Sequence, residues 1–203
     1  MGEAGVRKIK PRDGKIIHIV YDVDDVLNNL NYIVFKKLGL LGRMPKLFNI
    51  SDCDEYTESE KKEIFDCYGN PDIFKATSLV AGADKICQVE KTGRALVYIN
   101  SRNFNSEVAS IKINQLLKNI PGLNYFRIDM QIGLGDRKKI SEYADIVIED
   151  CITNLLKYPT ETVKILINKT YNQAQAYGIT DAEYNILRVE NLTQVIELID
   201  ELV

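Results

Sequence analysis

Five short apolar runs recur along the chain, and each ends in a polar residue: "KIIHIVYD" (15–22), "ALVYINS" (95–101), "NYFRID" (124–129), "DIVIED" (145–150) and "VKILIN" (163–168). The first is apolar almost throughout. That is the mark of a strand buried on both faces of a parallel sheet, not of one with a wet face. Between the runs, apolar residues take helical spacing. Leu30, Ile33, Val34 and Leu38 precede Gly39, which is placed to cap a helix; Val108, Ile111 and Leu116 fall within 106–118, ahead of Pro121 and Gly122; the amphipathic "NLTQVIELIDELV" closes the chain. Strands alternating with helices predict a three-layer α/β/α, Rossmann-like fold around a parallel sheet.

One stretch breaks the alternation. Residues 40–94 offer no convincing long strand, but they hold a capping box, "TESE", with Thr57 as N-cap and Glu60 reaching back, and a helix over 82–92 that stops at Gly93. The expected organisation is an α/β core of residues 1–27 and 95–203, with a small helical cap inserted at 28–94. A length of 203 residues suits one domain carrying such an insertion.

Composition removes several function classes. With 45% hydrophobic and 27% charged residues the chain reads as an ordinary globular protein, and a net charge of -3 gives no general reason to bind nucleic acid or an anionic membrane. The basic cluster "RKIKPR" near the start reads as a solvated tail. The apolar runs are far shorter than the roughly 20 residues of a membrane span, and no secretory signal is visible, so a cytoplasmic setting is expected. Cys53, Cys67, Cys87 and Cys151 lack paired metal-ligand spacing and read as reduced, buried thiols. Matches to the glycosylation pattern at Asn49, Asn168 and Asn191 then count as chance. His18, the one histidine, lies inside the first run and reads as a packed strand side chain, which disfavours His-based catalysis.

In open parallel sheets ligands bind at the carboxyl ends of strands. Here the first run ends in Asp22, Asp24 and Asp25, the second in Asn100, Ser101 and Arg102, and the fourth in Glu149 and Asp150, with Lys138 and Lys139 shortly before it. Acids gathered on one edge repel unless a cation sits among them, and hard oxygen donors with room for water favour Mg2+. A hydroxyl and an ammonium nearby suit a phosphoryl group, whose equatorial oxygens need donors.

"DVDDVL" resembles the first motif of the haloacid dehalogenase-like hydrolases, Asp-x-Asp-x-Thr/Val-Leu, and within them the chain most resembles the 5'(3')-deoxyribonucleotidase group. Ser101 in "VYINS" matches the second motif. A Lys ten residues before the acidic pair matches the third and selects Lys139 over Lys138. "IVIED" matches the fourth as Glu149 and Asp150. The resemblance covers roughly residues 16–175, cap included, and "NKTYNQ" resembles the group's loop after the fifth strand. It implies a Mg2+-dependent phosphatase in which Asp22 is the nucleophile and Asp24 the general acid and base. Ser101, Arg102 and Lys139 would bind the phosphate, with Ser101 and Lys139 also catalytic, Lys139 balancing the Asp22 carboxylate and steadying the transition state; the metal would take Asp22, the backbone carbonyl of Asp24, Glu149 and Asp150. Asp25 falls at the motif's variable position. The group usually has Asp where Glu149 stands, so a weakened, phospholigand-binding relative is the alternative, as is a phosphatase of another small ester. The implied substrate is a small phosphorylated molecule, a nucleotide first, handled by a monomer or homodimer. Phe48, Tyr56, Phe65, Tyr68 and Phe74 in the cap are read first as packing residues and second as stacking surfaces for a base. A signalling receiver domain uses similar residues but ends a later strand in its phosphoacceptor, which this chain does not.

Overall fold

The computed structural model describes residues 9–11, 14–133 and 144–203. Six strands form one sheet in which every pairing is parallel, in the order β3-β2-β1-β4-β5-β6. In chain order the elements are β1 (Ile17–Tyr21), α1 (Leu30–Lys37), α2 (Glu58–Tyr68), α3 (Pro71–Ala76), a 3-10 helix (Ala83–Thr92), β2 (Ala95–Asn103), α4 (Ser106–Asn119), β3 (Ile128–Ile132), β4 (Ile146–Glu149), α5 (Ile152–Leu155), β5 (Val163–Ile167), β6 (Ile186–Val189) and α6 (Leu192–Leu202). Helices flank the sheet, as the alternation of runs and helical spacings predicts.

The unbroken apolar runs are explained by two cores. One face buries Ile19, Tyr21, Ile146, Ile148 and Ile165 against α6 and the 3-10 helix. The opposite face buries Val20, Val147 and Leu166 against α5. Successive side chains on one strand therefore enter different cores, and neither set can be polar.

The cap has its own core. Leu30, Val34 and Phe35 of α1, Ile64 and Cys67 of α2, and Ile73 and Phe74 of α3 pack with Ile50, Cys53 and Tyr56, and Val108 of α4 joins them. Thr57 and Glu60 form the capping box that starts α2. The helix over 83–92 lies elsewhere: Ala83, Ile86, Cys87 and Val89 are buried in the main core, although the sequence assigns this stretch to the insertion. Its ends lie at Gly82 and Gly93, both in the left-handed region that glycine adopts without strain.

Two strands differ from expectation. Asn124 accepts from the Phe126 N–H at 3.0 Å and opens a 3-10 turn over Tyr125–Arg127, so β3 starts at Ile128 and 124–127 is not strand. β6 was not expected at all. Its four residues carry Arg188, held by Asp181 at 2.8 Å, which interrupts any apolar pattern. All four cysteines are free and buried. His18 is partly buried and stacks on Tyr98 with ring centroids 5.4 Å apart. Among the described residues, no helix is long and apolar enough to cross a membrane.

Candidate active site

The register of the central strands brings the acids together. Tyr21 of β1 lies level with Ile99 of β2 and Ile148 of β4, and the Asp22 N–H donates to the Ile148 carbonyl at 3.0 Å. The next residue on each strand is then Asp22, Asn100 or Glu149, all at the carboxyl edge. Carboxylate oxygens of Asp22, Glu149 and Asp150 lie within 4.8 Å of one another, and all three residues are buried. Asp145, at the other end of the same run, is far from this edge. It accepts from the His18 N–H at 2.8 Å beside the start of β1.

The turn after β1 is locked by side chains. Asp25 adopts φ 58°, a left-handed conformation that an acid tolerates better than a branched residue. Asn28 Oδ1 accepts from the N–H groups of Asp25 and Leu30, each at 3.1 Å, while its amide donates to Asp24 Oδ1 at 3.0 Å. The other Asp24 oxygen, Oδ2, ion-pairs with Lys112 Nζ at 2.5 Å. Lys112 also donates to Ser101 Oγ at 3.1 Å, so an ammonium links the second acid of β1 to the hydroxyl of β2.

Asp150 is held from the far side. Tyr171 donates its hydroxyl to Asp150 Oδ2 at 2.6 Å, and Asn172 donates to the Asp150 carbonyl at 2.8 Å. Burial, then repulsion from Asp25 and Glu149, pushes the Asp150 carboxyl well above its usual range, against the pull of Tyr171 and Lys169. Glu149 is 0% exposed, and the Asn154 amide approaches it at 3.5 Å. Buried acids strained in this way fit a hard divalent cation, which oxygen donors of this kind select.

Above the acids a cavity of about 340 Å³ opens between cap and core. Asp22, Asp24, Asp150, Arg102 and Lys112 lie on its walls, and Phe48, Phe65, Phe74, Tyr68 and Phe104 form much of the remainder. The cap aromatics divide. Tyr56 and Phe74 are buried in the cap core, whereas Phe48 and Phe65 stay 42% and 39% exposed, as does Phe104 at 48%.

The structure thus gathers Asp22, Asp24, Ser101, Arg102, Glu149 and Asp150 at one edge. Lys138 and Lys139 lie outside the described residues. Sequence reasoning missed Lys112, Asn28, Tyr171 and Asn172. Lys112 did leave a signal: with Val108 and Leu116 it makes a buried i, i+4 stripe on α4, where a lone lysine needs a reason. Tyr171 and Asn172 lie within "NKTYNQ", but nothing in their types marks them as supports of an acid.

No family model matches the chain, and no curated protein matches it either. Solved structures do share its fold. A hydrolase from Pseudomonas syringae superposes with a TM-score of 0.58 at 14% identity, covering 92% of this chain and 98% of its own. A haloacid dehalogenase-like hydrolase from Burkholderia xenovorans LB400 gives 0.53 at 12%, covering 93% and 99%. A haloacid dehalogenase-like family hydrolase from Streptococcus pneumoniae gives 0.51 at 14%, covering 90% and 98%.

Proposed function

We propose that a chain with the fold of the haloacid dehalogenase-like hydrolases is itself a phosphatase of that kind, acting on a small phosphate monoester. The observation that carries the reading is the cluster of Asp22, Glu149 and Asp150 at one sheet edge, beside the Asp24–Lys112–Ser101 chain. Fold likeness alone would be a weak reason, since one fold serves many chemistries.

In this reading Asp22 attacks phosphorus in line. A P–O bond forms to its carboxylate as the bond to the leaving oxygen breaks, and Asp24 gives that oxygen a proton. Asp24 then takes a proton from water, which attacks the acyl phosphate, and Asp22 departs as a carboxylate with release of orthophosphate. Asn28 and Lys112 aim the two Asp24 oxygens throughout. Ser101 donates to a phosphoryl oxygen, and Lys139 keeps the role that the family resemblance implies, balancing the Asp22 carboxylate and steadying the transition state. Asp22, Glu149, Asp150 and the Asp24 carbonyl would hold Mg2+, which when bound neutralises phosphate charge and orients it. Tyr171 and Asn172 fix Asp150 for that purpose.

A nucleoside monophosphate is the favoured substrate. Exposed Phe48, Phe65 and Phe104 offer apolar faces to a flat leaving group above the acids. The test is phosphate release from nucleoside monophosphates and sugar phosphates, with and without Mg2+, by the wild type and by Asp22→Asn. Turnover that needs Mg2+, prefers nucleotides and vanishes in a folded Asp22→Asn protein is the expected result. A folded Asp22→Asn protein that keeps its turnover rules out the nucleophile. Acyl phosphate that accumulates without release would instead mark a phospholigand-binding protein.

A further inference from the structure

The least expected side chain at the sheet edge is Lys112. It is 1% exposed, and a buried ammonium is tolerated only when its donors are satisfied. Its partners all belong to the site: Asp24 Oδ2 at 2.5 Å, Ser101 Oγ at 3.1 Å and the Arg102 carbonyl at 3.4 Å. The Phe74 ring of the cap closes the fourth side, 4.8 Å from Nζ. Among the described residues that line the cavity, the cationic side chains are Arg102 and Lys112.

Hydrogen-bond polarity gives this arrangement a consequence. An ammonium has three donors and no acceptor, so Ser101 Oγ must accept from Lys112. The single Ser101 proton is then free to point elsewhere; it now reaches the Arg102 carbonyl at a long 3.4 Å. The third Lys112 donor is equally weakly used, on that same carbonyl at 3.4 Å. Two loosely committed donors, one neutral and one charged, therefore sit side by side: Lys112 lines the cavity, and Ser101, buried just behind it, shares its contact to the Arg102 carbonyl.

We propose that Lys112 is a catalytic residue, the cation that binds a phosphoryl oxygen while Asp22 takes the phosphorus. When phosphate enters, Lys112 exchanges the Arg102 carbonyl for a phosphoryl oxygen and keeps its bond to Asp24. By accepting nothing, it also makes Ser101 a donor to a second phosphoryl oxygen. The charge of Asp22 and the entering phosphate is thereby balanced from α4, immediately after the Ser101 strand, whatever residues 134–143 supply. This inference rests on the phosphatase reading above.

The experiment compares wild type, Lys112→Met, Lys139→Ala, Ser101→Ala and the Lys112→Met/Ser101→Ala double variant. For each, kcat, inhibition by inorganic phosphate and thermal stability are measured in Mg2+. Lys112→Met should fold, lose on the order of 100-fold in kcat, the scale of a lost electrostatic donor, and bind phosphate at least about tenfold more weakly. Its effect on kcat and on phosphate inhibition should be strongly non-additive with Ser101→Ala, whereas a merely structural lysine would couple to Ser101 in thermal stability alone. If Lys112→Met fails to fold, Lys112→Gln serves in its place, since its amide can still bond Asp24 and Ser101 without the charge. Lys112 variants that keep wild-type kcat and phosphate affinity, with the loss confined to Lys139→Ala, overturn the proposal. Additive single effects overturn the part played through Ser101. A wild type that releases no phosphate from any ester refutes the phosphatase reading, and the catalytic role of Lys112, which rests on it, falls with it.

Discussion

Asp25 combines a left-handed backbone with a buried carboxyl whose two oxygens accept from the Asn31 N–H at 3.0 and 3.3 Å. Burial pushes this carboxyl up to about 7, against Lys169 and the Asn31 N–H and with help from Asp24 and Asp22. The unfolded chain would release that proton near the ordinary value of 3.8. Below it both states are protonated and burial carries no penalty. Between about 4 and 7 the unfolded state alone ionises, so stability falls as pH rises, and the loss is complete above the folded value. Asp25→Asn removes the titration while Oδ1 still accepts from Asn31, and asparagine tolerates φ 58°. In metal-free buffer the variant should melt several degrees higher than wild type at pH 8, on a scale of about 2–4 °C per kcal/mol, and within error of it at pH 4. Melts at the two pH values check this; equal differences at both would show that Asp25 is not the buried proton. At this scale the acids were legible because their positions at the ends of apolar runs place them at one edge. Lys112, Asn28 and Tyr171 were not. Their roles depend on which helix face or loop meets that edge: the apolar stripe around Lys112 marks it as buried but not what it meets, and no local pattern marks Asn28 or Tyr171.

α4 shows what an element contributes beyond its own stability. Its N-cap, Asn105, accepts from the Val108 N–H at 2.9 Å and donates to the Gly69 carbonyl of the cap at 3.0 Å. Farther along, Gln115 donates to the Phe74 carbonyl at 2.8 Å and accepts from Thr77 at 3.3 Å. The helix therefore fastens the cap at both ends of the Lys112 stripe. Asn105→Ala should cost about 1–2 kcal/mol, the cap itself accounting for most of it, and it should lower the urea midpoint without changing the slope. A changed slope would mean that the cap had come loose from the core. Among the elements, long helices and the strands at 17–21, 95–103, 146–149 and 163–167 were visible because burial on both faces leaves an apolar run. β3 was placed about four residues early and β6 was missed, because edge strands lie half exposed and carry polar residues such as Asp129 and Arg188.

For the whole molecule, the cavity exists only because cap and core face each other. Phe48 and Phe65 come from one side and Phe104 from the other. The insertion itself could be read from a long strandless interval, but which aromatics pack and which stay open could not, since the residue types are the same. Replacing Phe65 and Phe104 together by Ala should lower kcat/KM for a nucleoside monophosphate by roughly 10- to 100-fold, given about 1–3 kcal/mol per stacked base. The same variant should leave a small ester without a ring nearly untouched, and kinetics on both substrates decide it. The sheet order has a consequence of its own for how such a molecule is made. Ile17 pairs with Ala95 and Ile19 with Ile146, so the strand that bears Asp22 finds both its neighbours only in segments synthesised much later. A nascent chain emerging from the ribosome must hold this sticky strand unpaired through the whole of the cap. Long-range parallel pairing of this kind is slow to form, so expression at low temperature or with chaperones should raise the soluble yield before any change to the sequence does.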